Sequence, residues 1–347
     1  MRRFVEQLRE HDREHRRALE IWAAHAAELS SGSLPDADPG LTVCSVGYRA
    51  RFCLEQNVRL LRALNPGSRV SWLVLDNNSE LRDTIASGDF GLTVFRSHRR
   101  EGVLGYEHAL AISALLPHIR TRFALFLDPD CFIVEPGWVQ SVPEHMERHQ
   151  LSFFGTPINP RRYNSYRYFP YMVCMFVDLA QVPPRDLCFV PDVWAWRAAL
   201  NYAWRQAMTR IPKVGFGFRW LLTERWLTNG WRIKAKFRHS RFECVQPVWD
   251  VNESIPGGSL KRLIHALTPG SVSPIPKQRG YCSPVGFAAM GAPEVAALGW
   301  EEFVWQGRPF AFHVGSIHGK PGKYETQLEA TLRQFASPQA PELAQAH

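Results

Sequence analysis

An apolar run, Phe123-Ala-Leu-Phe-Leu127, leads directly into Asp128-Pro-Asp-Cys-Phe-Ile-Val134, so two carboxylates stand at i and i+2 where a segment that reads as a buried strand ends. On an extended backbone, residues two apart leave the same face of the chain. Two like charges held this close need a counter-cation. A hard divalent ion such as Mg2+ or Mn2+ takes oxygen ligands and leaves room for phosphate, so it suits the pair. Pro129 fixes its own φ and lacks an N–H, as a stiff turn requires. Asp and Pro are also ordinary turn residues, and an acidic solvated turn would be spelled the same way, so the surroundings must decide.

Two other clusters could do related chemistry. Leu75-Asp-Asn-Asn-Ser-Glu80 follows a second apolar run, and a carboxylate at Asp76 can accept from a base N–H or a ribose hydroxyl, or close an Asx turn with no ligand at all. Pro309-Phe-Ala-Phe-His-Val-Gly-Ser-Ile-His-Gly-Lys-Pro321 alternates apolar residues so that His313 arrives on a strand, with His318 and Lys320 on the Gly-containing loop beyond. Imidazole is an acceptable Mn2+ ligand, while Lys and backbone N–H groups are good phosphate partners. His313 is thus a candidate third ligand beside Asp128 and Asp130.

The elements that must position these residues read as an α/β body behind a helical preface. Residues 1–30 have helical spacing, with Phe4, Leu8, His11, His15, Leu19, Trp22 and Ala26 near one face. Ser30 to Gly40, rich in Ser, Gly, Pro and Asp, ends that helix. It reads as a packing helix laid on the main domain, or as a basic helix that meets a membrane surface or a second subunit. Strands follow at 41–46, 70–75, 92–95 and 122–127, with helices at 52–64 and 106–116 between them. Alternation of this kind implies parallel pairing in a doubly wound sheet, whose ligands bind at the carboxyl ends of the strands. Asp76 and Asp128 both stand at such ends.

Composition bounds the rest. The 347 residues are 45% hydrophobic and 21% charged, which is globular, and no apolar run approaches the roughly 18 residues of a membrane span. The amino terminus turns charged at once and has no apolar segment of a secretory signal, so the expected compartment is the cytoplasm, with a place at the inner membrane face left open. Seven scattered cysteines without C-x-x-C spacing indicate neither a zinc site nor a disulfide framework. A formal net charge of +8 points to anionic partners. No Walker-type phosphate loop and no recognisable nucleic-acid module is present, so nucleic acid is not an expected partner.

Taken in order, Ser45 near the end of the first strand, Val74-Leu-Asp-Asn-Asn-Ser79, Gly105-Tyr-Glu-His-Ala-Leu110 and Phe126-Leu-Asp-Pro-Asp130 resemble the nucleotide-sugar half of GT-A glycosyltransferases, the family 2-like group in particular. The resemblance covers residues 41–140 well and the remainder loosely. It implies a Rossmann-like, mixed and mostly parallel sheet flanked by helices, a nucleotide-diphosphate sugar as donor with UDP the first candidate, and Mn2+ or Mg2+ as cofactor. Position by position it implies that Asp76 contacts the nucleotide base, with Asn77, Asn78 and Ser79 completing that loop and Ser45 nearby. Asp128 and Asp130 would hold the cation that bridges the diphosphate, and His108 would approach the ribose or sugar phosphate. Arg99 and Arg100 would neutralise phosphate, His313 would complete the metal site and Lys320 would grip the diphosphate, although the spacing from His to Lys differs by one residue from the family pattern.

The implied layout is a helix and linker over 1–40, a catalytic domain over 41–325 with its donor half at 41–140 and acceptor half at 141–325, and a helix and tail over 326–347. Phe153–Pro157 and Tyr171–Asp178 read as strands, separated by a loop dense in Tyr and Arg. Trp-rich helices follow at 193–204 and 220–231. The family helix that ends in Gly230-Trp-Arg-Ile233 opens, in inverting members, with an acidic pair that supplies the general base, but here Phe218 and Arg219 occupy those positions. Glu224, Asp192 and Asp178 are the nearest acids that could replace it, Glu224 first. The expected activity is transfer of a sugar to an acceptor hydroxyl of a glycan, a lipid-linked intermediate or a small molecule, with inversion favoured. The contrasting expectation is a non-catalytic relative whose basic surface binds lipid or nucleic acid, which would leave Asp128, Asp130 and His313 without a task.

Overall fold

The structure is a computed structural model of the full chain and describes residues 2–29, 38–77, 84–97, 106–160, 166, 168–192, 229–249, 278–315 and 323–337. A long helix α1 (Arg2–Glu28) precedes β1 (Asp38–Gly47), α2 (Arg51–Leu64), β2 (Val70–Asp76), β3 (Thr93–Arg96), α3 (Tyr106–Leu115) and β4 (Thr121–Leu127). Then come β5 (Cys131–Ile133), α4 (Trp138–His149), β6 (Phe153–Gly155), β7 (Cys174–Asp178), α5 (Trp231–Phe237), β8 (Phe242–Cys244) and β9 (Gln246–Pro247). The hairpin β10 (Glu301–Trp305) and β11 (Arg308–His313) and the helix α6 (Lys323–Ala336) complete the described elements.

The main sheet runs β3-β2-β1-β4-β7-β6-β8. Its first four strands are mutually parallel, β7 is antiparallel to β4 and to β6, and β8 is parallel to β6. Residues 72–76 of β2 and 123–127 of β4 are buried without alternation. That is the signature of parallel strands covered on both faces, and it explains why they read as unbroken apolar runs. Leu75 and Phe126 pack with α3 on one face, while Val74, Leu125 and Leu127 pack with Leu54 and Val58 of α2 on the other. From β1 the chain order proceeds to β2 and β3 on one side and to β4 on the other. The carboxyl ends of β1 and β4 therefore flank the crevice where open α/β sheets take their ligands.

A second, antiparallel sheet, β5-β11-β10-β9, packs beside the first over Phe132, Trp300, Phe312 and the α6 residues Leu328, Leu332 and Phe335. The strand expected over 122–127 is β4, and the apolar residues beyond the aspartates, which had no element assigned to them, form β5 of the second sheet. Asp128-Pro-Asp130 is the corner between the two sheets.

Helix α1 lies against α3 and residues 184–192. His15, Ala18 and Trp22 are buried, and His15 Nε2–H donates to the Pro191 carbonyl at 3.1 Å. Its apolar face in this stretch is a packing surface. No helix among the described residues is long and apolar enough to cross a membrane.

Candidate metal centre

The corner is built from the backbone outwards. Asp128 N–H donates to the Val173 carbonyl, and Cys131 N–H returns to the Asp128 carbonyl at 3.0 Å, which closes a four-residue turn with Pro129 in its second position. Asn57, buried in α2, donates from Nδ2 to the Pro129 carbonyl at 2.8 Å. The turn is thus held from both sheet and helix.

The second sheet then brings the third ligand. In the β5–β11 ladder His313 stands opposite Cys131, and Val314 N–H donates to the Asp130 carbonyl at 3.0 Å. His313 Nε2 lies 3.3 Å from Asp130 Oδ1, and the nearest ligand atoms of Asp128, Asp130 and His313 all lie within 4.8 Å of one another. An ion about 2.1 Å from each ligand sets neighbouring ligand atoms about 3 Å apart and opposite ones about 4.2 Å apart. The measured 3.3 Å between His313 Nε2 and Asp130 Oδ1 is close to the spacing of neighbouring ligands. Two carboxylates and one imidazole form a donor set that Mn2+ accepts readily and Mg2+ accepts through oxygen. Exposure falls from 23% at Asp128 through 12% at Asp130 to 4% at His313, so the group opens to solvent on the Asp128 side, and each side chain stands on a strand or turn.

Burial alone would lower the His313 pKa, but Asp130 and Glu301 outweigh it and raise it to about 10, so the imidazolium is held between two carboxylates. On the far side of Asp128, His108 Nε2 lies 3.5 Å from Oδ1, and His108 Nδ1 lies 3.5 Å from Asn229 Nδ2. Cys131 and Cys174 lie beneath the corner in contact with each other, and burial pushes the Cys131 thiol far up, which makes it a poor ligand and nucleophile.

The other expected residues are distributed unequally. Asp76, last in β2, is buried, with Gly47 opposite it on β1 and Arg96 on β3. Asn77 follows at the rim of a cleft of about 830 Å3 that also touches Arg96, Ser97, Tyr106 and α1. The Ser45 hydroxyl donates to the Leu127 carbonyl at 2.8 Å and accepts from Trp72 Nε1 at 3.1 Å inside the sheet, so it ties β1, β2 and β4 together. Asp178 stands away from the corner. It is wholly buried, it is held by Arg122 at 3.1 Å on both oxygens, and it pairs with Phe123, near the opposite end of β4 from the corner. Asp192 is 31% exposed and forms a 3.0 Å ion pair with Arg232 beside Trp22 and Trp231. Tyr166, in the loop dense in Tyr and Arg, is buried in the core against Phe169 and Tyr171. Asn78, Ser79, Arg99, Arg100, Glu224, His318 and Lys320 lie outside the described residues, as do the helices expected over 193–204 and most of 220–231.

Three residues that hold the site, Asn57, Asn229 and Glu301, were not singled out from the sequence. Glu301 had a readable signal. Trp305-Gln-Gly-Arg308 joins two apolar runs, and both Gln306 and Gly307 have positive φ, as a two-residue hairpin turn requires.

No protein-family model and no curated protein matches this chain. Solved structures do resemble part of it. S. aureus TarS 1–349 in complex with UDP-GlcNAc is 14% identical over 43% of this chain and 48% of that one, with a TM-score of 0.33. Mannosyltransferase PcManGT from Pyrobaculum calidifontis in complex with GDP-Man and Mn2+ is 14% identical over 47% of this chain and 56% of that one, with a TM-score of 0.32. Glucosyl-3-phosphoglycerate synthase from Mycobacterium tuberculosis in complex with phosphoglyceric acid is 13% identical over 50% and 66%, with a TM-score of 0.33. The shared part is about half of this chain, and about half to two thirds of the others.

Proposed function

We propose that this chain is a GT-A-type glycosyltransferase that moves a sugar from a nucleotide-diphosphate sugar, with a UDP-sugar the first donor to try, to an acceptor hydroxyl. The observation that carries this is the meeting of Asp128, Asp130 and His313 at the carboxyl end of β4, beside the crevice between β1 and β4. Binding in that crevice would set a diphosphate against the acidic corner, and Asp76 and Asn77 lie two strands away, at a distance suited to a nucleoside.

In glycosyl transfer the C1–O bond to the diphosphate breaks through an oxocarbenium-like state while the acceptor oxygen forms the new bond. Asp128, Asp130 and His313 would hold Mn2+ or Mg2+, which when bound neutralises the departing diphosphate. His108, at the edge of Asp128, would add a donor to the same phosphates or the ribose. Arg100 and Lys320 are the further cations proposed for the leaving group. The acceptor proton must pass to a base on the other flank, for which Asp192 and Glu224 are the candidates and inversion the favoured outcome. Arg232 orients Asp192 there. Seven scattered cysteines without C-x-x-C spacing, four of them buried, suit a reducing compartment such as the cytoplasm.

Incubation with single nucleotide sugars and Mn2+, followed by release of nucleoside diphosphate, tests the proposal. Release that needs Mn2+ and stops on chelation is expected for at least one donor. Equal release with and without chelator for every donor would overturn it.

A further inference from the structure

The bond to His313 Nδ1 comes from Glu301, a residue that the ligand set does not include. Glu301 Oε2 lies 2.9 Å from Nδ1, while Nε2 faces Asp130 at 3.3 Å. The two ring nitrogens point apart, so a carboxylate on one cannot share a cation with the other. Glu301 is therefore placed to orient the imidazole and not to ligate.

A one-residue irregularity sets up that placement. From the turn, Trp305 pairs with Arg308 and Val304 with Pro309, whereas Phe303 pairs with Ala311, so the register slips at Phe310. Had the first register continued, Phe312 would stand opposite Glu301 and the carboxylate would miss the imidazole. With the slip, Glu301 stands opposite His313. Bulges characteristically re-aim side chains near functional sites. The strand start is also stiff, because Trp300 stacks on Phe312 at 7° between ring planes and the adjacent Glu302 accepts from Phe287 N–H and Ala296 N–H. Glu301 itself is 11% exposed, so its bond to the ring is made largely out of water.

We infer that Glu301 is a positioning residue for the cation: it holds the proton of His313 on Nδ1, directs the Nε2 lone pair at the space shared with Asp128 and Asp130, and raises the basicity of that nitrogen. Outer carboxylates on ligating histidines act in this way in metal sites generally, and their loss costs about 10- to 100-fold in metal affinity. The inference rests on the metal reading proposed above, and the experiment separates the two.

Free Mn2+ is measured by electron paramagnetic resonance during titration of the full chain and of the Glu301→Met, Glu301→Gln and Asp130→Asn variants. Met keeps the length of Glu without an acceptor, and Gln restores a neutral acceptor. The expected result is binding weakened about 10- to 100-fold in Glu301→Met, recovered at least in part by Glu301→Gln, and lost in Asp130→Asn. Binding in Glu301→Met within twofold of the parent, with Asp130→Asn still deficient, would overturn the role of Glu301 alone. Unchanged binding in Asp130→Asn would overturn the metal reading and this role with it. Should Glu301→Met fail to fold, long-range 1H–15N correlation of His313 in the Mg2+-saturated parent decides. A proton on Nδ1 is expected, and a proton on Nε2 would refute the role.

Discussion

The acidic corner and the region around Asp192 are built by different means. At the corner every group is fixed by strand register or a closed turn: Asp128 and Asp130 by the turn, His313 by its ladder with β5, and Glu301 by the slipped hairpin. Around Asp192 the contacts are an ion pair to Arg232, with both side chains 31% exposed, and the docking of α1 through His15, Ala18 and Trp22. The corner exists only when two sheets are both in register, whereas the Asp192 region rests on helix packing and part-exposed charges, which can change without disturbing the sheets.

Substitutions should expose that contrast. The largest stability effect is expected at Asp178→Ala, which removes a buried acceptor of Arg122, Ala180 N–H and Gln181 while Arg122 keeps its pair with Glu147, and should cost about 3 kcal/mol in denaturant unfolding. Mn2+ affinity of the folded fraction should not change, since this pair stands near the other end of β4. Asn57→Leu removes the donor to the buried Pro129 carbonyl and should cost about 1–3 kcal/mol. Unlike Asp178→Ala it should also weaken Mn2+ binding, because the corner loses its brace, and calorimetric titration would report both effects.

Proton linkage sharpens the same contrast. His313 has a folded pKa of about 10, above the roughly 6.5 of an unfolded chain. Its contribution to the metal-free protein is therefore fully present below about pH 6.5 and lost as pH rises towards 10. A cation on Nε2 displaces the proton, so Mn2+ affinity should rise about tenfold per unit between about pH 6 and 8, and the loaded protein should lose this part of its stability profile. The smallest stability effect is expected at the part-exposed Asp192–Arg232 pair. Asp192→Asn should change stability by less than about 1 kcal/mol and leave Mn2+ affinity intact, while reducing turnover if Asp192 is the base.

Legibility in the sequence followed the same divide. The doubly wound body could be read because β2 and β4 are buried on both faces and leave unbroken apolar runs, and Asp128, Asp130 and His313 stood out because polar groups ending apolar strands are unusual. Long-range register left no such mark. Nothing local shows that residues 123–134 serve two sheets, that Ser45 is spent on Leu127 and Trp72, or that Asp178 is claimed by Arg122, 56 positions earlier. The hairpin that carries Glu301 could be read from its turn, but the slipped residue that sets Glu301 opposite His313 could not. Asn57 reads as one polar position in an amphipathic helix, and its target is a carbonyl, which carries no sequence signature.

The central claim is that Asp128, Asp130 and His313 form a cation site that serves a nucleotide-sugar donor. Thermal unfolding of the parent and of Asp130→Ala, with UDP-sugars in the presence and absence of Mn2+, tests it most directly. Stabilisation of the parent by donor and Mn2+ together, exceeding that from either alone and absent in Asp130→Ala, is the predicted result. Full retention of Mn2+-dependent donor stabilisation in Asp130→Ala would contradict it.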